Sequence, residues 1–133
     1  TAECQTIKDY SSFARTTIRG LANLLPTGAP QLAVMEAKLF DLEPVVRRGL
    51  VHPDFGGRSS IKVVLPVLAP DLSYSTLDVG GGSSAVAAFA TLAAGGATDE
   101  EIQTVRGALL EYCKLDTLAM TRVLHALRKL ASA

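Results

Sequence analysis

From Ile102 to Leu130 apolar side chains return every three or four residues: Ile102, Val105, Leu109, Cys113, Met120, Val123, Leu124, Leu127 and Leu130. That rhythm marks one face of an α-helix turned towards a core. Asp116 falls in the same stripe, four residues after Tyr112, so the phenol and the carboxylate share a face. The segment opens on Thr98 and Glu101, a capping box, with three acids in the first turn, where the helix dipole favours them. As one helix, Asp99 to Ala131 is about 50 Å long, whereas a compact domain of this chain length spans roughly 35 to 40 Å. The pattern therefore predicts a break, at Gly107 or at Asp116 acting as N-cap of a second helix starting at Thr117. An inward carboxylate costs several kcal/mol, on the order of buried-charge penalties, unless a cation, a metal or N–H donors meet it. Spacing alone leaves both readings of Asp116 open, a helix cap and a functional carboxylate.

Upstream the pattern is shorter in range. In SSFARTTIRGLANLLP, Phe13, Ile18, Leu21, Leu24 and Leu25 stand at helical spacing behind Ser11 or Ser12 as N-cap, and Pro26 closes the segment. A second short helix is predicted from Pro30, leading into an extended piece at Leu39 to Leu42, the one strand the pattern offers. EPVVRRGL predicts a helical turn ending at Gly49, and VHPDFGG a loop. SSIKVVLPVLAP predicts a helix opening on capping serines that Pro66 keeps short or kinked. DLSYSTLDVGGGSS reads as loop and AVAAFATLAAGG as a helix of small residues closed by glycines. The expected fold class is predominantly α with at most one or two short strands. A lone strand has no ladder partner, so it is either spurious or paired with strands outside this chain.

Composition narrows the function classes. The chain has 133 residues, 48% of them hydrophobic, enough for a single domain with a core of its own. Its 13 basic and 13 acidic side chains give no global bias towards nucleic acid or membrane, so a local patch must be argued separately. No apolar run approaches the roughly 20 residues needed to cross a bilayer, and no secretory signal opens the chain, so no membrane is expected and the cytoplasm is the expected compartment. Cys4 and Cys113 fit neither a paired metal-ligand spacing nor a disulfide framework. The first residue is Thr1 rather than Met, as in a processed form, a tag remnant or a fragment of something longer.

VGGGSS lacks the Lys-Ser or Lys-Thr of a phosphate loop. His52 and His125 have no adjacent acid or cysteine that suggests catalysis, and read as structural or solvent-facing. Arg47-Arg48 and Arg128-Lys129 read as solvated faces. Arg58, Ser60 and Lys62 mark a loop-to-helix start that can receive a phosphate; the plainer reading is a capped surface helix with solvated charges.

Two blocks, HPDFGGRSSIKVVLPVLAPDLSYSTLD and LLEYCKLDTLAM, resemble a bacterial domain family of uncharacterised function that is itself similar to the DEDD-type 3′→5′ exonucleases of the ribonuclease-H-like fold. The likeness extends through FDLEPVVRRG and, more loosely, SSFARTTIRGLANLLP, and covers about Ser11 to Leu130. Members often follow a PD-(D/E)XK nuclease-like domain in one polypeptide, which implies a missing upstream domain or another protein chain as partner. The resemblance implies the C-terminal part of a ribonuclease-H-like α/β fold, whether 1–133 is one domain or a fragment of one. It also implies that Tyr112 and Asp116 form the Tyr-x-x-x-Asp pair of one exonuclease branch. Asp116 then binds metal, Tyr112 orients the attacking water, and Arg58, Ser60 and Lys62 face the nucleic-acid strand. Mg²⁺ or Mn²⁺ is expected by the resemblance alone.

Two such cations about 3.5 to 4 Å apart repel each other and need several carboxylates. The first motif, Asp-x-Glu, is absent, and Ala14 stands where the family reads an acid. Asp9 lies more than one turn before that place, and Asp41, at the end of the proposed strand, has no matching motif. Ligand counting predicts that this chain alone does not assemble a two-metal site. The implied function is a degenerate or truncated metal-dependent 3′→5′ exonuclease-like domain acting on or binding nucleic acid. The alternative is a non-catalytic helical protein-interaction module in which Asp116 is a cap or pairs with Arg15 or Arg19.

Overall fold

The computed structural model describes residues 6–78 and 81–133. It is 72% helical with 5% strand, the predominantly helical class that the pattern predicts. In chain order the elements are β1 (Ile7–Asp9), α1 (Phe13–Leu24), α2 (Ala29–Lys38), β2 (Leu39–Asp41), α3 (Glu43–Gly49), α4 (Ile61–Leu68), α5 (Gly82–Ala93) and α6 (Asp99–Ala131). Short 3-10 turns lie at Pro26–Gly28, Pro53–Phe55 and Tyr74–Thr76. The chain divides into two compact units, one ending at Val63 and the other beginning at Val64. Cys4 and the first two residues of VGGGSS lie outside the described residues.

In the first unit the proposed strand has its partner within the chain. β2 pairs in parallel with β1 in the register Ile7↔Leu39, Lys8↔Phe40 and Asp9↔Asp41. The sequence gives no sign of β1, because three residues with one apolar member carry no period. Parallel neighbours need a crossover, and α1 and α2 supply it. Arg15 and Arg19, one turn apart on α1, both reach Glu36 of α2, at 3.3 and 2.7 Å. These arginines are therefore not partners of Asp116; Glu36 takes both, and they hold its carboxyl below the usual range, Arg19 chiefly. The buried apolar residues of this unit are Tyr10, Leu42, Val46 and Phe55. The predicted apolar stripe of α1 forms on a helix but stays open: α1 buries no residue, and Phe13 and Leu24 are 72% and 77% exposed.

The second unit buries Val64, Leu65, Ala69, Tyr74, Ala119 and Val123. Pro66 sits inside α4, which is only eight residues long, as expected. The predicted break in the last helix is absent: α6 runs unbroken for 33 residues. Thr117, the expected start of a second helix, is interior, and its hydroxyl donates to the Cys113 carbonyl at 3.0 Å. The physical reason lies in the sequence. No proline interrupts Asp99 to Ala131, and Gly107 costs only about 1 kcal/mol relative to alanine, too little to stop a helix that gains one hydrogen bond per added residue. The capping box forms in both directions, the Glu101 N–H on the Thr98 hydroxyl at 3.3 Å and the Thr98 N–H on the Glu101 carboxylate at 2.7 Å. The inward face departs in part from the predicted stripe: Val123 is fully buried as predicted, but Cys113 and Leu130 are exposed and Ala119, outside the stripe, is fully buried.

A continuous α6 makes Gly107→Ala stabilising. A Cβ there meets nothing within 4 Å, so urea denaturation should show a gain of about 1 kcal/mol. A loss instead would mean that the helix is not regular at this point.

Candidate functional site

Tyr112 and Asp116 lie one turn apart on α6, and the residues that continue their face, Ala119 and Val123, are buried. The face is inward because the segment after α4 folds onto it. The Ser73 hydroxyl accepts the Ser75 N–H at 3.1 Å and so caps the 3-10 turn Tyr74–Thr76. This turn places the buried Tyr74 with its hydroxyl donating to Asp116 Oδ1 at 2.6 Å. The Tyr74 and Tyr112 rings lie 6.2 Å apart, tilted by 53°. A second tether, Arg122 to Asp71 at 2.6 Å, holds the same segment one and a half turns further along α6. Burial raises the Tyr74 hydroxyl above its usual range, and the hydrogen bond to Asp116 adds to the rise. Tyr112 is pushed up to about 12, by burial first and by the Asp116 charge second. The inward carboxylate is thus compensated by a phenol from a loop, the one compensation that spacing along α6 cannot reveal.

The structure also brings together two carboxylates that match no motif. Asp9 and Asp41 end the two paired strands side by side. Asp9 Oδ1 accepts the Tyr10 N–H at 2.7 Å, and the Ala14 N–H also bonds to this carboxylate. An acid five residues before Ala14 in sequence therefore lies near its backbone N–H. Burial raises Asp9, with the Asp41 charge adding to the rise and the amide bonds opposing it. Asp41 Oδ1 accepts the N–H groups of Ser11 at 2.8 Å and Glu43 at 2.9 Å. Both carboxylates are engaged by backbone donors. Among the described residues of either unit, no three His, Cys, Asp or Glu side chains gather closely enough to hold a metal ion. Asp116, with a phenol bonded to it and in no cluster of three such ligands among the described residues, does not fit a two-cation centre.

Arg58, Ser60 and Lys62 are exposed along the approach to α4. The expected capping role of Ser59 is taken over by other bonds: its hydroxyl donates to Glu43 and its carbonyl accepts from the Tyr10 hydroxyl at 2.6 Å. His125 is solvent-facing on α6, as expected. His52 instead accepts the Asp54 N–H on Nδ1 at 3.3 Å, and its ring lies 5.5 Å from that of Phe55. Arg58 and His52 line one cleft with Arg47, which sequence reasoning places on a solvated face. No helix among the described residues is long and apolar enough to cross a membrane.

A scan against protein-family models, a search of curated proteins and a search of solved structures each return no match to this chain.

Two measurements check the tyrosine–aspartate arrangement. Tyr74→Phe removes a hydrogen bond to a charged acceptor, and because Asp116 is only half-buried and can take up water, the expected loss in urea denaturation is about 1.5 kcal/mol, the lower end of the usual range. An unchanged midpoint would show that the bond contributes nothing. For pH, the ordinary phenol value is 10.0 and that of Tyr112 in the fold about 12. Its contribution to stability is therefore complete below pH 10 and is lost as pH rises through about 12. Stability measured across that window should fall, and Tyr112→Phe should make the fall shallower.

Proposed function

We propose that this chain is a degenerate exonuclease-like domain that binds nucleic acid without a two-metal centre of its own. The observation that carries the reading is the 2.6 Å bond from the buried Tyr74 hydroxyl to Asp116. A metal-binding carboxylate presents lone pairs to a cation, whereas Asp116 presents one to an O–H donor and stands beside a second phenol. The resemblance of LLEYCKLDTLAM to the Tyr-x-x-x-Asp branch supports common descent of this face, and Ala14 supports the loss of hydrolysis. Two-cation Mg²⁺ or Mn²⁺ chemistry needs several carboxylates, and among the described residues no three metal-ligating side chains gather. Nucleic-acid binding is supported by the exposed Arg58, Ser60 and Lys62 in the block that carries the resemblance.

Thermal melts with and without Mn²⁺, paired with anisotropy of a labelled single-stranded oligonucleotide, test both halves of the reading. Mn²⁺ should shift the wild type and Asp116→Asn equally, and binding should weaken as salt rises. A Mn²⁺ stabilisation that Asp116→Asn abolishes overturns the degenerate reading. Absence of binding at low salt overturns the nucleic-acid reading and favours a helical protein-interaction module. One observation already supports that second reading, the open apolar stripe of α1, where Phe13, Leu21 and Leu24 stand exposed.

A further inference from the structure

We infer that the cleft lined by Arg47, His52, Phe55 and Arg58 in the first unit is a binding site for a phosphoryl group. The cleft has a volume of about 180 Å³, below the roughly 300 to 1,000 Å³ of sites that enclose whole ligands, so it takes a group rather than an entire small molecule. Val46, Leu50 and Phe55 form its apolar part, and no acidic side chain lines it. Its donors come from three separate stretches of backbone. Arg47 on α3 pairs with Glu43, its Nε 3.3 Å from the carboxylate, and its guanidinium also lines the cleft. His52 accepts the Asp54 N–H on Nδ1 at 3.3 Å, with the Asp54 carboxylate 3.7 Å from the same nitrogen, and its ring lines the cleft. Arg58 follows two glycines with φ of 52° and 74°, a left-handed pair that returns the chain so that the Arg58 N–H bonds the Phe55 carbonyl at 2.9 Å. No carboxylate pairs with the Arg58 side chain among the described residues. Two guanidinium groups and an imidazole lining one small cleft with no acid in its lining suit an oxyanion such as a phosphoryl group.

The cleft is held in shape from behind. Buried Tyr10 donates to the Ser59 carbonyl, Ser59 donates to Glu43, and Glu43 holds Arg47. Ser59 itself lines the cleft, so the end of β1 braces both the floor and one cation. The site stands on this geometry; that its phosphoryl group belongs to a nucleic-acid strand rests on the function proposed above.

Amide resonances followed by NMR at constant ionic strength, with inorganic phosphate as first probe, test the site. Phosphate should shift Gly57 and Arg58 where chloride does not. Arg58→Ala should weaken the response about tenfold, the size expected for a lost charge-assisted bond, and Arg58→Lys should fall between. Arg48→Ala, an exposed neighbour that does not line the cleft, should leave the response unchanged. Equal loss in Arg48→Ala and Arg58→Ala, or shifts that chloride reproduces, means an adventitious ion only and overturns the site. A single-stranded oligonucleotide with and without a terminal phosphate is the second probe. Oligonucleotide binding that competes with phosphate and depends on Arg58 supports a nucleic-acid source. Phosphate binding with no oligonucleotide binding keeps the site, assigns it to free phosphate or a small phosphomonoester, and overturns the nucleic-acid reading. Oligonucleotide binding indifferent to Arg58 keeps that reading and overturns the nucleic-acid source for this cleft.

Discussion

Two parallel strands of three residues make too few ladder bonds to hold together unaided, so the first unit depends on what ties their ends. Asp41 does this with one oxygen, which accepts the Ser11 N–H beyond β1 and the Glu43 N–H at the start of α3. The first bond fixes a turn in which Ser11 has φ of 98°, a region that costs a residue with a Cβ about 1–2 kcal/mol. The second sets the entry to α3, whose Val46 is fully buried. Once that turn is fixed, Tyr10 is committed inward, and its hydroxyl reaches Ser59 across 49 residues of sequence. The strand pair, the helix that carries Arg47 and the loop that carries Arg58 are then one connected arrangement.

Asp116 shows what a similar carboxylate does on a helix. With phenols for company rather than N–H groups, it can stay half-buried because a short bond from a buried hydroxyl replaces part of its water. The bond also fixes where the Tyr74 turn lies along α6, and the Arg122–Asp71 pair repeats the constraint further along the same helix. A residue pattern suited to metal chemistry thereby serves to dock a loop. The difference lies in the neighbours of the aspartate, not in its spacing from Tyr112.

Those neighbours explain what was legible in the sequence. Helices with strong local signals were readable: the capping box at Thr98, the proline-limited α4, and the glycines that end α5, where Gly95 and Gly96 take φ of 79° and 85°. The strand at Leu39 was readable, but its partner was not, because pairing is non-local and β1 is too short to show a period. That the apolar face of α1 stays open was not readable, since amphipathic spacing says that a helix has an apolar face, not whether anything covers it. At the site, the shared face of Tyr112 and Asp116 was legible from the four-residue spacing. Tyr74, 42 residues away, was not. His52 was set aside because no neighbour suggested catalysis or metal, and Arg47 as part of a short basic pair on a solvated face; only folding of the loop brings them to Arg58.

A formal charge of zero conceals how the charges are disposed. Residues up to Val63 carry eight basic and six acidic side chains, and the remainder five basic and seven acidic, so the two units are biased in opposite senses. Four of the six acids of the first unit are engaged, Glu36 by two arginines, Glu43 by Arg47 and Ser59, Asp9 and Asp41 by backbone amides, while the exposed Asp54 lies 3.7 Å from His52. Each such bond neutralises or immobilises negative charge, while Arg58 is left to solvent with a half-committed Arg47 in the same cleft. Local potential depends on which charges remain unscreened within about 10 Å of a surface at ordinary ionic strength, not on the sum over the chain. A chain whose composition gives no bias towards anions therefore presents, through the pairing of most acids of its first unit, one surface suited to them.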